Sequence, residues 1–463
     1  MKLLILSPSL SSALATGALT SVSTSSKYHQ RLNFLCPKRI FQRTASSTRS
    51  FCAGRQNLFS TKLRLLSAFD SKYFSTSISR SSQDEGYHSY NESAANTNGE
   101  VSIDPKLSVC SRMGLEPLRN RFHHPIVNHE NYSFDDWPPN HTFPMDKFAR
   151  LAQALTTTCK KNTPSSRLPR PLVRSHEDFF RPLDMEEAPL YQWFAEPSGP
   201  LESKFLSRVL NGRLTKEECR YIGFREQMYR PELIRRTVLE VLGTMLSCQL
   251  AYQYGLSSNV AGGTHHARRN KGAGYTILND LAIAANFITD EKLNKKTIVG
   301  VERVLVIDTD VHQGDGTASF SALHDQNRLF TLSLHCADNY PQLKATSTYD
   351  VGLPAGCDDD EYMEALQKSV CQAISETKPQ FVLYDAGVDV YANDKLGRLK
   401  ITENGIHQRD RYVIDKCVGE GIPVVAVVGG GYDKDVNALA RRHAIVHEEC
   451  AFVWRKYKMW ERH

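Results

Sequence analysis

Four apolar residues, Val304, Leu305, Val306 and Ile307, run straight into Asp308-Thr309-Asp310-Val311-His312-Gln313-Gly314-Asp315-Gly316. A short apolar run in which three of four residues are β-branched reads as a strand, and one with no polar alternation has to be buried on both faces. That requirement is met in a parallel sheet with helices on each side. The chain then changes abruptly to carboxylates and an imidazole at the strand's C-terminal end, the edge where open α/β sheets bind ligands. Side chains alternate along a strand, so Asp308, Asp310 and His312 are expected to project to one side there. Two oxygens and a nitrogen in convergence suit a borderline cation such as zinc. The plainer alternative, an acidic strand end that caps a turn, does not explain three ligand-type groups in five residues.

Other segments repeat the strand–helix alternation. A helix is expected from Pro231, with Ile234, Val238, Val241, Met245, Cys248 and Tyr252 on one stripe and Gly255 closing it. Further helices are expected over Asn279–Ile288, Glu361–Ile374, Ile406–Val418 and Val436–Val453, and strands over Leu329–His335, Phe381–Tyr384 and Pro423–Val428. The fold class is therefore α/β, a single domain whose mostly parallel central sheet is covered by helices on both faces.

Composition divides the 463 residues unevenly. Met1 through Phe69 contains no Asp or Glu, although Ser, Thr, Lys and Arg are frequent, so residues 1–78 read as an organelle transit peptide. A mitochondrial destination is expected, with a plastid as the alternative, and the nucleus or cytoplasm if the leader is not used. Residues 79–115 read as a disordered linker and 116–463 as the catalytic domain. The net charge of +6 owes much to the leader, and no basic stripe interleaved with aromatics points to nucleic acid. No run reaches the roughly 18 apolar residues of a membrane span. The 11 cysteines form no C-x-x-C pair, which argues against a disulfide framework and for a reducing compartment.

A third anionic ligand is offered by Asp389, just past the strand Phe381–Tyr384, with Asp385 and Asp394 as rivals. Two carboxylates and one imidazole leave a coordination position for water, the arrangement of catalytic zinc. His265-His266 follow Gly262-Gly263-Thr264 and need an irregular backbone to face one centre. They suit a general base and acid if each is oriented by a carboxylate, and Asp308 and Asp315 are the acids left for that task. Gly429-Gly430-Gly431-Tyr432 can bring a phenol to the same edge as an oxyanion donor. Two other histidine pairs are expected to be inert: His443 and His447 on a solvated helix face, and His123-His124 in a surface loop. The glycine clusters lack the last glycine of a dinucleotide fingerprint, Lys434 and Ile277 standing in its place.

Taken together, Gly262-Gly263-Thr264-His265-His266-Ala267, Gly272-x-Gly274-Tyr275 with Asn279-Asp280, Asp308-x-Asp310-x-His312-Gln313-Gly314-Asp315-Gly316, Ser333-Leu334-His335, Ala386-Gly387-x-Asp389, Asp394-x-Leu396-Gly397 and Gly430-Gly431-Tyr432 resemble the histone deacetylase family, closest to its class IV and bacterial members. The resemblance spans roughly Pro125 to Trp454 and implies the arginase/deacetylase-type α/β fold. It implies one zinc ion on Asp310, His312 and Asp389, proton transfer by His266 with Asp315, assistance from His265 with Asp308, and carbonyl polarisation by Tyr432. It further implies that Gly274 and Tyr275 line the acyl channel and that a structural potassium sits near Asp308, Ser333 and Leu334. Many relatives carry Phe where Tyr275 stands. The implied activity is hydrolysis of N-ε-acetyl-lysine amides in proteins or peptides. Small acetylated amines such as acetylpolyamines are the nearest alternative, and a non-catalytic corepressor module the next. No membrane or direct nucleic-acid partner is expected, and the oligomeric state is left open.

Overall fold

The computed structural model describes residues 123–157, 171–185, 190–197, 199–290, 293, 298–321 and 328–462. The leader over 1–78 and the linker over 79–115 lie outside the described residues. Seven strands form one sheet: β1 (Ile126–Val127), β2 (Leu256–Asn259), β3 (Val304–Asp308), β4 (Leu329–Cys336), β5 (Tyr349–Leu353), β6 (Phe381–Asp385) and β7 (Val424–Val427). Their spatial order is β1-β2-β7-β6-β3-β4-β5, and every neighbouring pair is parallel. All residues of β2, β3, β6 and β7 are buried.

The described α-helices are α1 (Lys147–Thr156), α2 (Ser203–Leu210), α3 (Lys216–Ile222), α4 (Pro231–Tyr254), α5 (Asp280–Thr289), α6 (Asp315–Ser321), α7 (Asp359–Thr377), α8 (Glu403–Gly419) and α9 (Val436–Lys456). Parallel strands joined by right-handed crossovers place their helices according to the direction of travel across the sheet. The path β2 to β3 to β4 runs one way and carries α5 and α6. The path β5 to β6 to β7 runs back and carries α7 and α8 on the opposite face. Helix α4 packs on α5, and α9 packs between α8 and α1, which completes the two layers. The reversal falls between β3 and β6, so the crevice at their C-terminal ends is the topological switch point.

The expected elements from Pro231 onward are present with ends displaced by a few residues. Pro231 begins α4, and Gly255 closes it at φ 85. Three strands were not legible. β2 reads Leu-Ser-Ser-Asn, with a single apolar residue, and its hydroxyls are satisfied inside the core: Ser257 Oγ donates to Ser247 O at 2.6 Å and Ser258 Oγ pairs with His447 Nδ1 at 2.8 Å. β5 contains Asp350 and Gly352, poor strand formers, and holds its place as a half-exposed edge. β1 is only two residues long.

Two expectations are corrected. His443 and His447 do not sit on a solvated face: both are buried, because α9 is enclosed by α8, α1 and β2. His124 is not in a surface loop either. Pro125 O accepts the Ser258 N–H at 3.0 Å, which draws the segment onto the sheet, and His124 Nε2 pairs with Ser258 Oγ at 2.8 Å.

The loops that leave β3 and β6 are tied to α8 by Arg409, which is fully buried. Its Nη1 donates to Gly387 O at 2.6 Å and Thr309 O at 3.2 Å, its Nη2 to Ala386 O at 3.1 Å, and its Nε to Asp410 Oδ1 at 2.8 Å. Removing a buried, fully bonded cation strands its acceptors. Arg409→Met is therefore expected to lower unfolding free energy by about 3–5 kcal/mol in urea titrations. A loss well under about 1 kcal/mol would show that these carbonyls do not depend on the guanidinium.

Candidate active site

Because the sheet is parallel, the loops after β2, β7, β6 and β3 emerge side by side at one edge. Strand β3 ends at Asp308, so Asp310 and His312 lie in the loop beyond it and not on the strand itself. Strand alternation therefore does not aim them. Backbone hydrogen bonds do.

Asp310 Oδ2 accepts the Gly430 N–H at 2.8 Å, and Asp310 Oδ1 accepts the His312 N–H at 2.9 Å. Asp389 Oδ1 accepts the Val311 N–H at 2.9 Å. With those oxygens anchored, Asp310 Oδ1 and Asp389 Oδ2 face His312 Nδ1 at 3.0 and 3.1 Å. A Cβ at Gly430 would stand 2.3 Å from Asp389 Oδ2 and 2.4 Å from Asp310 Oδ2, so only glycine can bring its backbone this close to both carboxylates. The ligand atoms of Asp310, His312 and Asp389 lie within 4.8 Å of one another.

The electrostatics of this trio fit a cation. Burial opposes charge on His312, yet its hydrogen bonds to Asp310 and Asp389 carry the imidazole up to about 10. Burial likewise opposes charge on Asp310, while the His265 and His312 imidazoles hold it well below the ordinary range. Burial and the neighbouring Asp310 push Asp389 up. A proton on His312 thus occupies the place of positive charge between two carboxylates. Two oxygens and one imidazole nitrogen are a donor set suited to zinc. Asp394 and Asp385 are not part of it. Asp394 builds a turn, accepting N–H groups from Leu396, Gly397 and Tyr432 at 2.8, 3.1 and 2.6 Å.

Asp385 stands behind the histidine pair. His265 Nδ1 lies 2.8 Å from Asp308 Oδ2 and 3.7 Å from Asp385 Oδ2, a second cluster of potential ligand atoms. Among the described residues neither Asp385 oxygen has a hydrogen-bond partner, and burial together with Asp308 pushes its carboxyl well up. His266 Nδ1 lies 2.7 Å from Asp315 Oδ1, and the two Nε2 atoms of the pair are 3.2 Å apart. Burial and the adjacent His265 bring His266 down to about 4, against the pull of Asp315. Burial also opposes charge on His265, but Asp308 and Asp310 raise it well above the ordinary value. The two rings are chemically different: their surroundings push His266 down and His265 up.

A cavity of about 30 Å³ adjoins these groups, and Gly274, Tyr275, His266, His312 and Tyr432 are among its walls. Gly274 has φ 54 and a Cβ there would meet His266 Cδ2 at 2.4 Å, so this wall must be glycine. The Tyr432 ring centroid is 6.5 Å from that of His312 and 5.9 Å from that of Tyr275. On the other side of the sheet edge, Asp308 stands opposite Ser333 in the β3–β4 register, with Leu334 next to it.

Residues 202–448, more than half of the chain, match the Histone deacetylase domain. The chain belongs to the histone deacetylase family. It is 38% identical over 330 residues to an uncharacterized protein of Picosynechococcus sp., covering 71% of this chain and 99% of that one. It is 33% identical over 198 residues to Histone deacetylase 2 of Arabidopsis thaliana, covering 42% of this chain and 49% of that protein. It is also 30% identical over 188 residues to Acetoin utilization protein AcuC of Staphylococcus aureus, covering 38% and 46% of the two chains. The matched part therefore spans about half the length of these two named relatives.

Within this deacetylase-family chain, sequence reasoning missed three neighbours of the site. Lys147 on α1 is buried, donates from Nζ to Gly429 O at 2.9 Å and lines the cavity; burial and Arg236 lower it to about 8. It sits among Asp146 and Phe148 with nothing to distinguish it from a surface lysine. Tyr340 brings its ring edge-on to His266 with centroids 4.9 Å apart, and Arg268 contacts Asp315. Only the adjacency of Tyr340 to Pro341 marked a turn.

Because zinc requires a neutral imidazole, loading the metal-free protein at pH 6, below the pKa of about 7 of zinc-bound water, is expected to displace about one proton per chain from His312. Indicator-dye titration against zinc measures it; no release at pH 6 would contradict the assignment of His312 as the protonated centre of the trio.

Proposed function

We propose that this member of the histone deacetylase family is a zinc-dependent deacylase that hydrolyses the acetyl amide of N-ε-acetyl-lysine in proteins or peptides. The observation that carries this reading is the convergence, at one sheet edge, of the Asp310–His312–Asp389 trio with two histidine–aspartate dyads and a tyrosine. Zinc, when bound, supplies Lewis acidity and lowers the pKa of water to about 7.

The chain's own groups account for the remaining chemistry. His266 is neutral near pH 7, with Nδ1–H donated to Asp315, so its Nε2 lone pair takes the proton of the attacking water. The same Nε2–H then protonates the departing lysine nitrogen, without which an amine is a poor leaving group. His265, held by Asp308 and raised by Asp308 and Asp310, assists electrostatically or in proton transfer. The Tyr432 hydroxyl stays protonated, since burial and the Asp389 and Asp310 carboxylates push it well up, and it donates to the acyl oxygen. The narrow cavity suits a short acyl end.

A structural potassium ion at Asp308, Ser333 and Leu334 is part of the same proposal, supported by their placement in adjacent register. The acid-free first 69 residues support delivery to the mitochondrion, with a plastid second. A fluorescent fusion of roughly the first hundred residues tests this, and diffuse cytoplasmic signal would refute it.

Tyr432→Phe is expected to lower kcat about 10²–10³-fold. His266→Ala is expected to lower it about 10²–10⁴-fold. Both variants should retain stoichiometric zinc by elemental analysis. Undiminished turnover in either variant would remove the assigned role. In parallel assays on acetyl-lysine peptides and acetylpolyamines, activity confined to the polyamines would transfer the proposal to small acetylated amines.

A further inference from the structure

The two histidine–aspartate dyads differ in what backs them. Behind His265 and Asp308 stands a second carboxylate, Asp385. Behind His266 and Asp315 stands a guanidinium: Asp315 Oδ1 faces His266 Nδ1 at 2.7 Å, and Asp315 Oδ2 accepts from Arg268 Nη2 at 2.8 Å. Both oxygens of Asp315 are therefore engaged by specific partners. The side chains of His266 and Asp315 are 5% and 6% exposed, whereas that of Arg268 is 33% exposed, so the arginine reaches from the surface into a buried pair. Its own base is fixed, because the Arg268 N–H donates to Lys271 O at 2.8 Å in an isolated antiparallel bridge.

A buried carboxylate with one free oxygen can rotate about its terminal torsion, or take up a proton and become a donor. Either change would release the imidazole it orients. Arg268 blocks both. It locks the carboxylate plane through the second oxygen and favours the anion; burial opposes the charge on Asp315, but His266 and Arg268 together hold it below the ordinary range. We propose that Arg268 is a positioning residue that, through Asp315, fixes the Nδ1–H tautomer and ring orientation of His266 so that Nε2 faces the reaction centre. This inference rests on the role given above to His266. It gives the tight turn after Ala267 a function in proton transfer, and it places one end of the catalytic machinery within reach of solvent.

The test compares wild type, Arg268→Gln and Arg268→Lys as zinc-loaded full-length protein. Arg268→Gln is expected to lower kcat at least tenfold with KM within about twofold, and Arg268→Lys to recover a third or more of the wild-type kcat. Nitrogen-15 NMR of the imidazoles, with His266 assigned by its absence in His266→Gln, supplies a readout that general destabilisation does not move. The wild type should show a slowly exchanging proton on Nδ1, Arg268→Lys should keep it, and Arg268→Gln should lose it or show mixed tautomers. An unchanged Nδ1 proton in Arg268→Gln overturns the proposal, whether or not kcat falls. If the wild type hydrolyses neither acetyl-lysine peptides nor acetylpolyamines, the functional reading fails while the NMR comparison still decides the role of Arg268.

Discussion

The structure is governed by the crowding of four buried carboxylates at the tips of two neighbouring parallel strands. Asp308 and Asp385 stand directly opposite in the β3–β6 register, and Asp310 and Asp389 follow in the loops above them. Like charges at such separations in a low-dielectric setting repel strongly. Burial raises Asp308, Asp385 and Asp389, and only Asp310 is held low, by the imidazoles of His265 and His312. Much of the local architecture answers this repulsion. Backbone N–H groups of Asp310, Val311 and Gly430 point at carboxylate oxygens, two imidazoles lie between the acids, and Arg409 clasps the carbonyls of the same loops from below. These devices leave Asp385 as the acid whose oxygens have no hydrogen-bond partner among the described residues, while oxygens of Asp310 and Asp389 converge on His312.

The same constraint explains why the site needs a parallel sheet. Four segments distant in sequence, after β2, β3, β6 and β7, must deliver side chains to one edge, and parallel strands place all their C-terminal ends together. The switch point between β3 and β6 opens the crevice in which the trio sits. The glycine-rich loop after β7 then crosses the acids closely enough for Gly430 N–H to bond Asp310 while carrying Tyr432 to the far side.

Legibility in the sequence followed the physics of burial. β3 and β6 each open on four apolar residues, mostly β-branched or aromatic, so they announce themselves, and with them the neighbourhood of Asp310, His312 and Asp389. β2 gives no such signal, because its serines and asparagine satisfy their polar atoms with Ser247, His447 and Glu240, partners that only the assembled fold brings near. His124, His443 and His447 were misjudged for the same reason: a helical or loop histidine looks solvated until its neighbours are known. Sequence reasoning expected Asp310 and His312 at the edge of β3, but by strand alternation, whereas they are aimed by loop hydrogen bonds. Rotamer-level partnerships such as Lys147 with Gly429, or Arg268 with Asp315, have no local pattern at all, since each joins segments more than forty residues apart.

In the proposed hydrolysis, the unequal surroundings of the two histidines turn a cluster of acids and bases into directional chemistry. If both rings had the same environment they would share one proton indifferently, and neither would be a dependable acceptor. Asp308 and Asp310 pull His265 up, whereas burial and the neighbouring His265 bring His266 down against the pull of Asp315, so the two rings are driven toward opposite protonation states across a 3.2 Å gap. The two dyads also differ in what stands behind them: Asp385, at the end of β6, lies 3.7 Å from His265 Nδ1, and Arg268, in the turn before α5, bonds Asp315. The difference between the adjacent imidazoles is therefore set first by the carboxylates each ring meets, by burial and by their own proximity.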